Sequence, residues 1–338
     1  MQITKSRRRC AALSTLSLLF LSAAAVAGPG KPQTAGPENT VHPGEKARIA
    51  FVTNNSSDWW TLAKNGVLRA KAELRDADID FVMPSDGTAA AQQELVEQEI
   101  SQGVTGIAIA PVDPSNQSAW IDELMGRGIT VITQDSDAPA SKRLCFVGMD
   151  NHAAGMLAGR EIRKALPRGG KIAIFVGIPN VLNARERISG IRDALKGSYV
   201  TIVDVKADQA DHALAFSNAA DALRQHPDLA GEVGVWSYNG PAILAAVHSA
   251  GKIGKVKIVC FDEEDQVLEG IESRAISATI VAQPDLFGYR SIKLLDAAVH
   301  GDRSRIPASG KLYVNSLAIT ASNIRAFKAH LAAMRSGR

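Results

Sequence analysis

The sequence has little cysteine: of 338 residues only Cys10, Cys145 and Cys260. Cys10 lies in the first segment, and the other two sit in apolar, strand-like runs, RLCFVG and KIVCFD. Two buried free thiols are expected there rather than a disulfide framework, even where the compartment permits oxidation. Net charge is small as well, +3, and the excess sits at the start. Without residues 1–27, which hold Lys5, Arg7, Arg8 and Arg9, the 38 basic residues fall to 34 against 35 acidic ones. Such a balance leaves no electrostatic footprint for nucleic acid. Catalytic signatures are missing too. There is no G-x-G-x-x-G after the first strand, no G-x-x-x-x-G-K-[ST], no H-E-x-x-H and no G-x-S-x-G. The seven histidines are scattered, and DSDAP lacks the oxygen ladder of a calcium loop. Neither a metal, a cofactor nor an enzyme is expected.

What is present begins with a targeting pattern. MQITKSRRRCAALSTLSLLFLSAAAVAG combines a basic start, an apolar run over 11–24 and a small-residue cleavage site at Ala25-Val26-Ala27. We read residues 1–27 as a cleaved secretory signal and 28–46 as a flexible leader. The rival is a membrane anchor, but the run is short and rich in Ser and Ala, and no other segment nears the roughly twenty apolar residues of a spanning helix. No cysteine follows the cleavage site to carry a lipid. From Ala47 onward short β-branched runs alternate with helical patterns. After RIAFVT, for example, Trp59, Leu62, Ala63, Gly66, Val67, Ala70 and Leu74 mark one helix face. Strands separated by single helices run parallel. The fold class is therefore α/β, with two doubly wound parallel-sheet lobes joined by a hinge of several crossovers. The expected bounds are 47–150 with 283–312 for the first lobe, and 151–282 with 313–338 for the second.

Ligands of open parallel sheets bind beyond the carboxyl ends of the strands. The polar residues there are Asn54 to Ser57, Asp113, Asp135 with Asp137, Asn180 to Arg187, Asn239 and Asp262. Acids, amides and a guanidinium suit hydroxyl groups, which both donate and accept. Trp59, Trp60 and Trp236 could stack on the C–H faces of a sugar ring. Duller roles compete. Asp113 precedes Pro114 and reads first as a helix cap. Glu263, Glu264 and Asp265 open another helix, where acids suit the dipole. Trp60 lies off the stripe that begins at Trp59, so one tryptophan should pack while the other faces the cleft. Position alone leaves Asp135, Arg185, Asn239 and Asp262 balanced between contact and scaffold.

Seven stretches in order, WWTLAKNGV, GVTGIAIAPVDP, GITVITQDSDAP, LNARERISGI, VWSYNGPAILAAV, IVCFDEEDQV and SATIVAQPDLFGYR, carry a resemblance. From about Ala47 to Asn323 the chain resembles the type I periplasmic sugar-binding proteins, the ribose-binding group that serves ABC importers. The resemblance implies stacking by Trp59, Trp60 and Trp236, and hydroxyl binding by Asp135, Arg185, Asn239 and Asp262. It departs where ribose binders carry Asp-Arg: here Ser136 follows Asp135, and an extra acid, Asp137, comes next. A family asparagine is replaced by Ala110, and the hinge glutamine falls one place late, at Gln283. Ser57, Ser136, Asp137 and Gln283 complete the candidate contacts. The resemblance implies a monomeric periplasmic receptor that hands a small carbohydrate to an ABC transporter permease. One rival is a sensor presenting the sugar to a membrane kinase or chemoreceptor. A repressor would need a helix-turn-helix where the signal stands, and a glycoside hydrolase would need a working carboxylate pair.

Overall fold

The computed structural model describes residues 45–57 and 59–335, so the signal-like segment, nearly all of the leader and Asp58 lie outside the described residues. Through the first half run β1 (Ala47–Val52), α1 (Trp59–Glu73), β2 (Ala77–Val82), α2 (Ala89–Ser101), β3 (Gly106–Ile109), α3 (Pro114–Gly126), β4 (Thr130–Gln134) and β5 (Phe146–Met149). The second series is α4 (Asn151–Ala165), β6 (Gly170–Val176), α5 (Leu182–Leu195), β7 (Val200–Ala207), α6 (His212–Gln225), β8 (Leu229–Gly234), α7 (Asn239–Ser249), β9 (Lys257–Phe261), α8 (Asp265–Glu272) and β10 (Ala278–Val281). The chain closes with α9 (Pro284–Val299), β11 (Lys311–Val314), β12 (Leu317–Thr320) and α10 (Ile324–Arg335).

These strands form two six-stranded sheets, ordered β11-β5-β4-β3-β1-β2 and β12-β10-β9-β8-β6-β7. Every pairing is parallel except β10 with β12. The central strands β3, β4, β5, β9 and β10 are buried along nearly their whole length, as sheets covered on both faces by helices require. The two orders superpose place for place, so β4 of one lobe corresponds to β9 of the other.

The lobes exchange chain three times. The first crossing is at Asp150, whose side chain caps α4 by accepting from the Ala153 N–H at 2.8 Å. The second is at Ala282–Gln283, after which α9 packs on the first lobe against α1 and β1. The third is Asn315–Ser316, between β11 in the first sheet and β12 in the second. Tyr313 and Val314 thus still belong to the first sheet, two residues past the expected bound, and the single strand read near KLYVNS is in fact two. Asp113 does cap α3, accepting from the Asn116 N–H at 3.2 Å. Cys145 and Cys260 are free and buried.

Helix pairs beside the crossings touch backbone to backbone. A Cβ on Gly66 of α1 would lie 1.7 Å from the Asp285 carbonyl oxygen of α9, and one on Gly155 of α4 would lie 2.1 Å from that of Arg187 on α5. No side chain fits at either point, so both residues must be glycine. Glu232 is the outlier of the second core: 0% exposed on β8, with neither carboxyl oxygen hydrogen-bonded. Burial pushes it up to about 9, against a weaker pull from Lys252. The folded state therefore holds a proton that the unfolded chain releases, and stability falls as pH rises between 4.5 and about 9. Glu232→Gln should match the parent below that window and exceed it above, by about 1.4 kcal/mol per pH unit inside it. Denaturant midpoints at several pH values check this.

Candidate functional site

At the end of β4 the chain turns at Asp135 with φ 59°, and its N–H donates to the Val147 carbonyl of β5 at 3.0 Å. At the end of β9 it turns at Asp262 with φ 69°, and its N–H donates to the Ile280 carbonyl of β10 at 2.9 Å. The same left-handed turn occurs at the same place in both lobes. Asp is one of the few side chains that tolerates it, and strain of this kind concentrates at working sites. Both carboxylates line one interlobe cleft of about 1450 Å³.

Arg187 lines the same cleft and acts electrostatically on both. On α5 the buried residues are Ala184, Arg187, Ile188, Gly190, Ile191, Ala194 and Leu195, so helical periodicity turns Arg187 inward and leaves Arg185 exposed. Arg187 is only 8% exposed. Its Nε donates to Asn151 Oδ1 at 3.0 Å and its Nη1 to the Val235 carbonyl at 2.8 Å, while the guanidinium lies 4.5 Å from the centre of the Phe261 ring. Nη2 is left over for the cleft, which Arg187 lines.

The electrostatics are a contest that burial wins. Asp135 is exposed in the cleft, yet the surrounding walls push it up to about 7; Arg187 opposes the rise and Asp262 adds to it. Asp262 is raised by burial, with Arg187 opposing and Glu264 adding. Arg187 is in turn lowered by burial against the pull of both carboxylates.

The structure brings Ser57, Trp59, Asp135 and Asp262 of the sequence candidates to this cleft. The others sit elsewhere. Trp60, not Trp59, is the packed tryptophan: it is 1% exposed, lies edge-on to Phe51 with ring centres 6.2 Å apart, and its Nε1 donates to Asn54 Oδ1 at 3.2 Å. It shares the buried stripe with Ala63, Val67 and Ala70, and Trp59 overhangs the cleft. Trp236 packs over Gly177, where a Cβ would lie 2.0 Å from its ring. Asn239 is fully buried, its Oδ1 accepting from the Trp236 N–H at 3.0 Å and its Nδ2 donating to Asp208 at 2.8 Å. The second-lobe aromatic wall is instead Tyr238, stacked on His212 at 4.6 Å and donating its hydroxyl to Asp208.

Asp137 is turned away as well. It accepts from Arg143, through Nε and through Nη2 at 2.7 Å, and from Thr133 Oγ1 at 2.7 Å, while Arg143 Nη1 donates to the Gly310 carbonyl at 3.1 Å. Ser136 donates its N–H to the Gln134 carbonyl at 2.7 Å. Gln283 donates to the Asn315 carbonyl at 2.6 Å, tying the second crossing to the third. Conversely, Glu263, Glu264 and Asp265, read as helix-opening acids, all line the cleft. Glu264 precedes α8 but makes no side-chain cap bond. One Glu263 carboxyl oxygen is buried without a partner, and burial next to Asp262 pushes the group up to about 8.

Residues 49–303 match the periplasmic binding protein domain family. The chain belongs to that family. The curated relatives include the ribose import binding protein of Bacillus subtilis (strain 168), 27% identical over 307 residues that span 90% of this chain and 98% of that protein. Among solved structures, the arabinose binding protein AraP from Geobacillus stearothermophilus is similar at TM-score 0.74 and 27% identity, over 83% of this chain and 99% of that one. A structure described as the XylFII-LytSN complex is similar at TM-score 0.66 and 29% identity, over 82% of this chain and 98% of that one. The resemblance to the type I periplasmic sugar-binding group, and the two-lobed fold it implied, therefore hold.

In this binding protein the Asp137–Arg143 pair anchors the loop that carries Asp135. Asp137→Ala would strand a guanidinium in a site where its side chain is 9% exposed. Loss of about 3–5 kcal/mol of stability is expected. Chemical denaturation checks this, and the double variant Asp137→Leu/Arg143→Met should recover much of the loss.

Proposed function

We propose that the chain is an exported receptor that closes its two lobes on one small carbohydrate and delivers it to an ABC importer permease. The observation that carries this is that Asp135 from one lobe and Asp262 from the other line a single cleft, with the Arg187 guanidinium acting on both. Carboxylates accept from sugar hydroxyls, and the free Nη2 of Arg187 donates to a hydroxyl or ring oxygen. Trp59 and Tyr238 offer flat apolar faces from opposite lobes. The cleft exceeds the roughly 300–1,000 Å³ of pockets that enclose a small ligand, so binding goes with closure about the three crossings. Closure removes water, shortens the charge-assisted bonds and makes the liganded shape distinguishable to a membrane partner. Affinity is expected near micromolar or tighter, about 8 kcal/mol or more. The ribose and arabinose named for its relatives support a sugar of this size, and Ser136 in place of the family arginine argues against ribose itself. Export rests on the targeting pattern in residues 1–27 and on the family's compartment.

A second reading is a sensor that presents its sugar to a membrane protein, favoured by a relative solved in complex with LytSN. Capture of a permease or of a sensor domain by the liganded mature protein separates the two. The reading itself is tested by thermal shift against monosaccharides and polyols. One or two should raise the melting temperature, and a flat response would refute it. Arg187→Ala should weaken the responding ligand at least about thirtyfold. Arg185→Ala, a change on the exposed face of α5, should leave affinity within about twofold of the parent.

A further inference from the structure

The cleft is lined by more acidic side chains than basic ones. Its lining holds five carboxyls, Asp135, Asp262, Glu263, Glu264 and Asp265, against two guanidinium groups, Arg187 and Arg335. Arg187 is committed to the facing pair, lying within the fields of both Asp135 and Asp262. Arg335, from the end of α10, pairs with Asp265 at 3.4 Å. Among the described residues Glu263 and Glu264 form no ion pair, although Arg335 exerts a weaker pull on Glu263. Among the described residues the only histidine on the lining, His212, is stacked on Tyr238. The position where ribose binders place a second arginine holds Ser136, which hydrogen-bonds its own turn.

Closing two lobes over this surface around a neutral guest would desolvate unpaired carboxylates, which is costly unless they take up protons or meet a positive charge. One Glu263 oxygen is already buried without any partner. Among the described residues no three acidic, histidine or cysteine side chains are grouped to hold a metal ion. Trp59 and Tyr238 supply aromatic faces, which suit an organic cation as well as a sugar ring. Resting on the carbohydrate reading above, we propose that the guest is an amine-bearing sugar or polyol whose ammonium group is received by Glu263 beside Asp262. Its hydroxyls fall to Asp135 and Arg187.

Burial holds Glu263 up at about 8, so it keeps its proton near neutrality, while Asp135, exposed in the cleft, is pushed up to about 7. An ammonium group favours the ionised forms, so binding expels protons and affinity rises with pH up to that range.

The test is isothermal titration of the mature protein at about pH 6.5, where Glu263 is protonated and the amines are charged. It uses two buffers of different ionisation enthalpy and three matched pairs: glucosamine with glucose, galactosamine with galactose, and glucamine with glucitol. In at least one pair the amine should bind roughly tenfold tighter than its neutral parent, the worth of one hydrogen bond to a charged group, and should release protons. Glu263→Gln, with its unliganded melting temperature as a check on folding, should bring that ratio towards one. A neutral parent that binds as tightly as its amine, or binding without proton release, overturns the inference while leaving the carbohydrate reading in place. No response to either member of any pair, nor to the wider panel of neutral sugars, refutes both.

Discussion

One buried guanidinium governs the cleft. Asp135 and Asp262 arrive from separate lobes on matching turns, and each raises the other's cost of ionisation or is raised by a neighbouring acid. Only Arg187 reduces that cost for both. Because its Nε and Nη1 are fixed on Asn151 and the Val235 carbonyl, the charge cannot retreat to solvent when the cleft is empty. The guanidinium is thus held at the cleft wall by the protein's own hydrogen bonds. The surrounding polar residues serve the same end. Asp208 is spent holding Tyr238 and Asn239 in place, and Asp137 is spent on Arg143.

Most of the fold could be read from the chain because alternation of short β-branched runs with helical stripes is a repeated signal, and each repeat constrains the next. The missed piece, β12, follows Asn315–Ser316, where the chain leaves one sheet and enters another within two residues. No change of periodicity marks such a step, since an extended run remains extended whichever sheet receives it.

The site was legible only in part, for a related reason. Asp135 and Asp262 could be found because strand ends are visible in sequence and topology sends them to the cleft. Arg185 and Arg187 are two residues apart on one helix, and only the stripe of Ala184, Ile188 and Ile191 decides which faces inward. The same criterion, used with Trp59 as the stripe's origin, selected the wrong tryptophan, since Trp60, Ala63, Val67 and Ala70 fit a helical face equally well. Asn239 and Asp137 carried the right functional groups in the right neighbourhood, but their partners, Asp208 and Arg143, are matters of three-dimensional placement.

The contact behind Arg187 has an evolutionary consequence. Gly155 meets the carbonyl of that residue with no room for a methyl group, so the spacing of two helices sets the reach of the recognition charge. Gly155 is therefore held constant by packing alone, and retuning of the cleft is left to the residues of its lining.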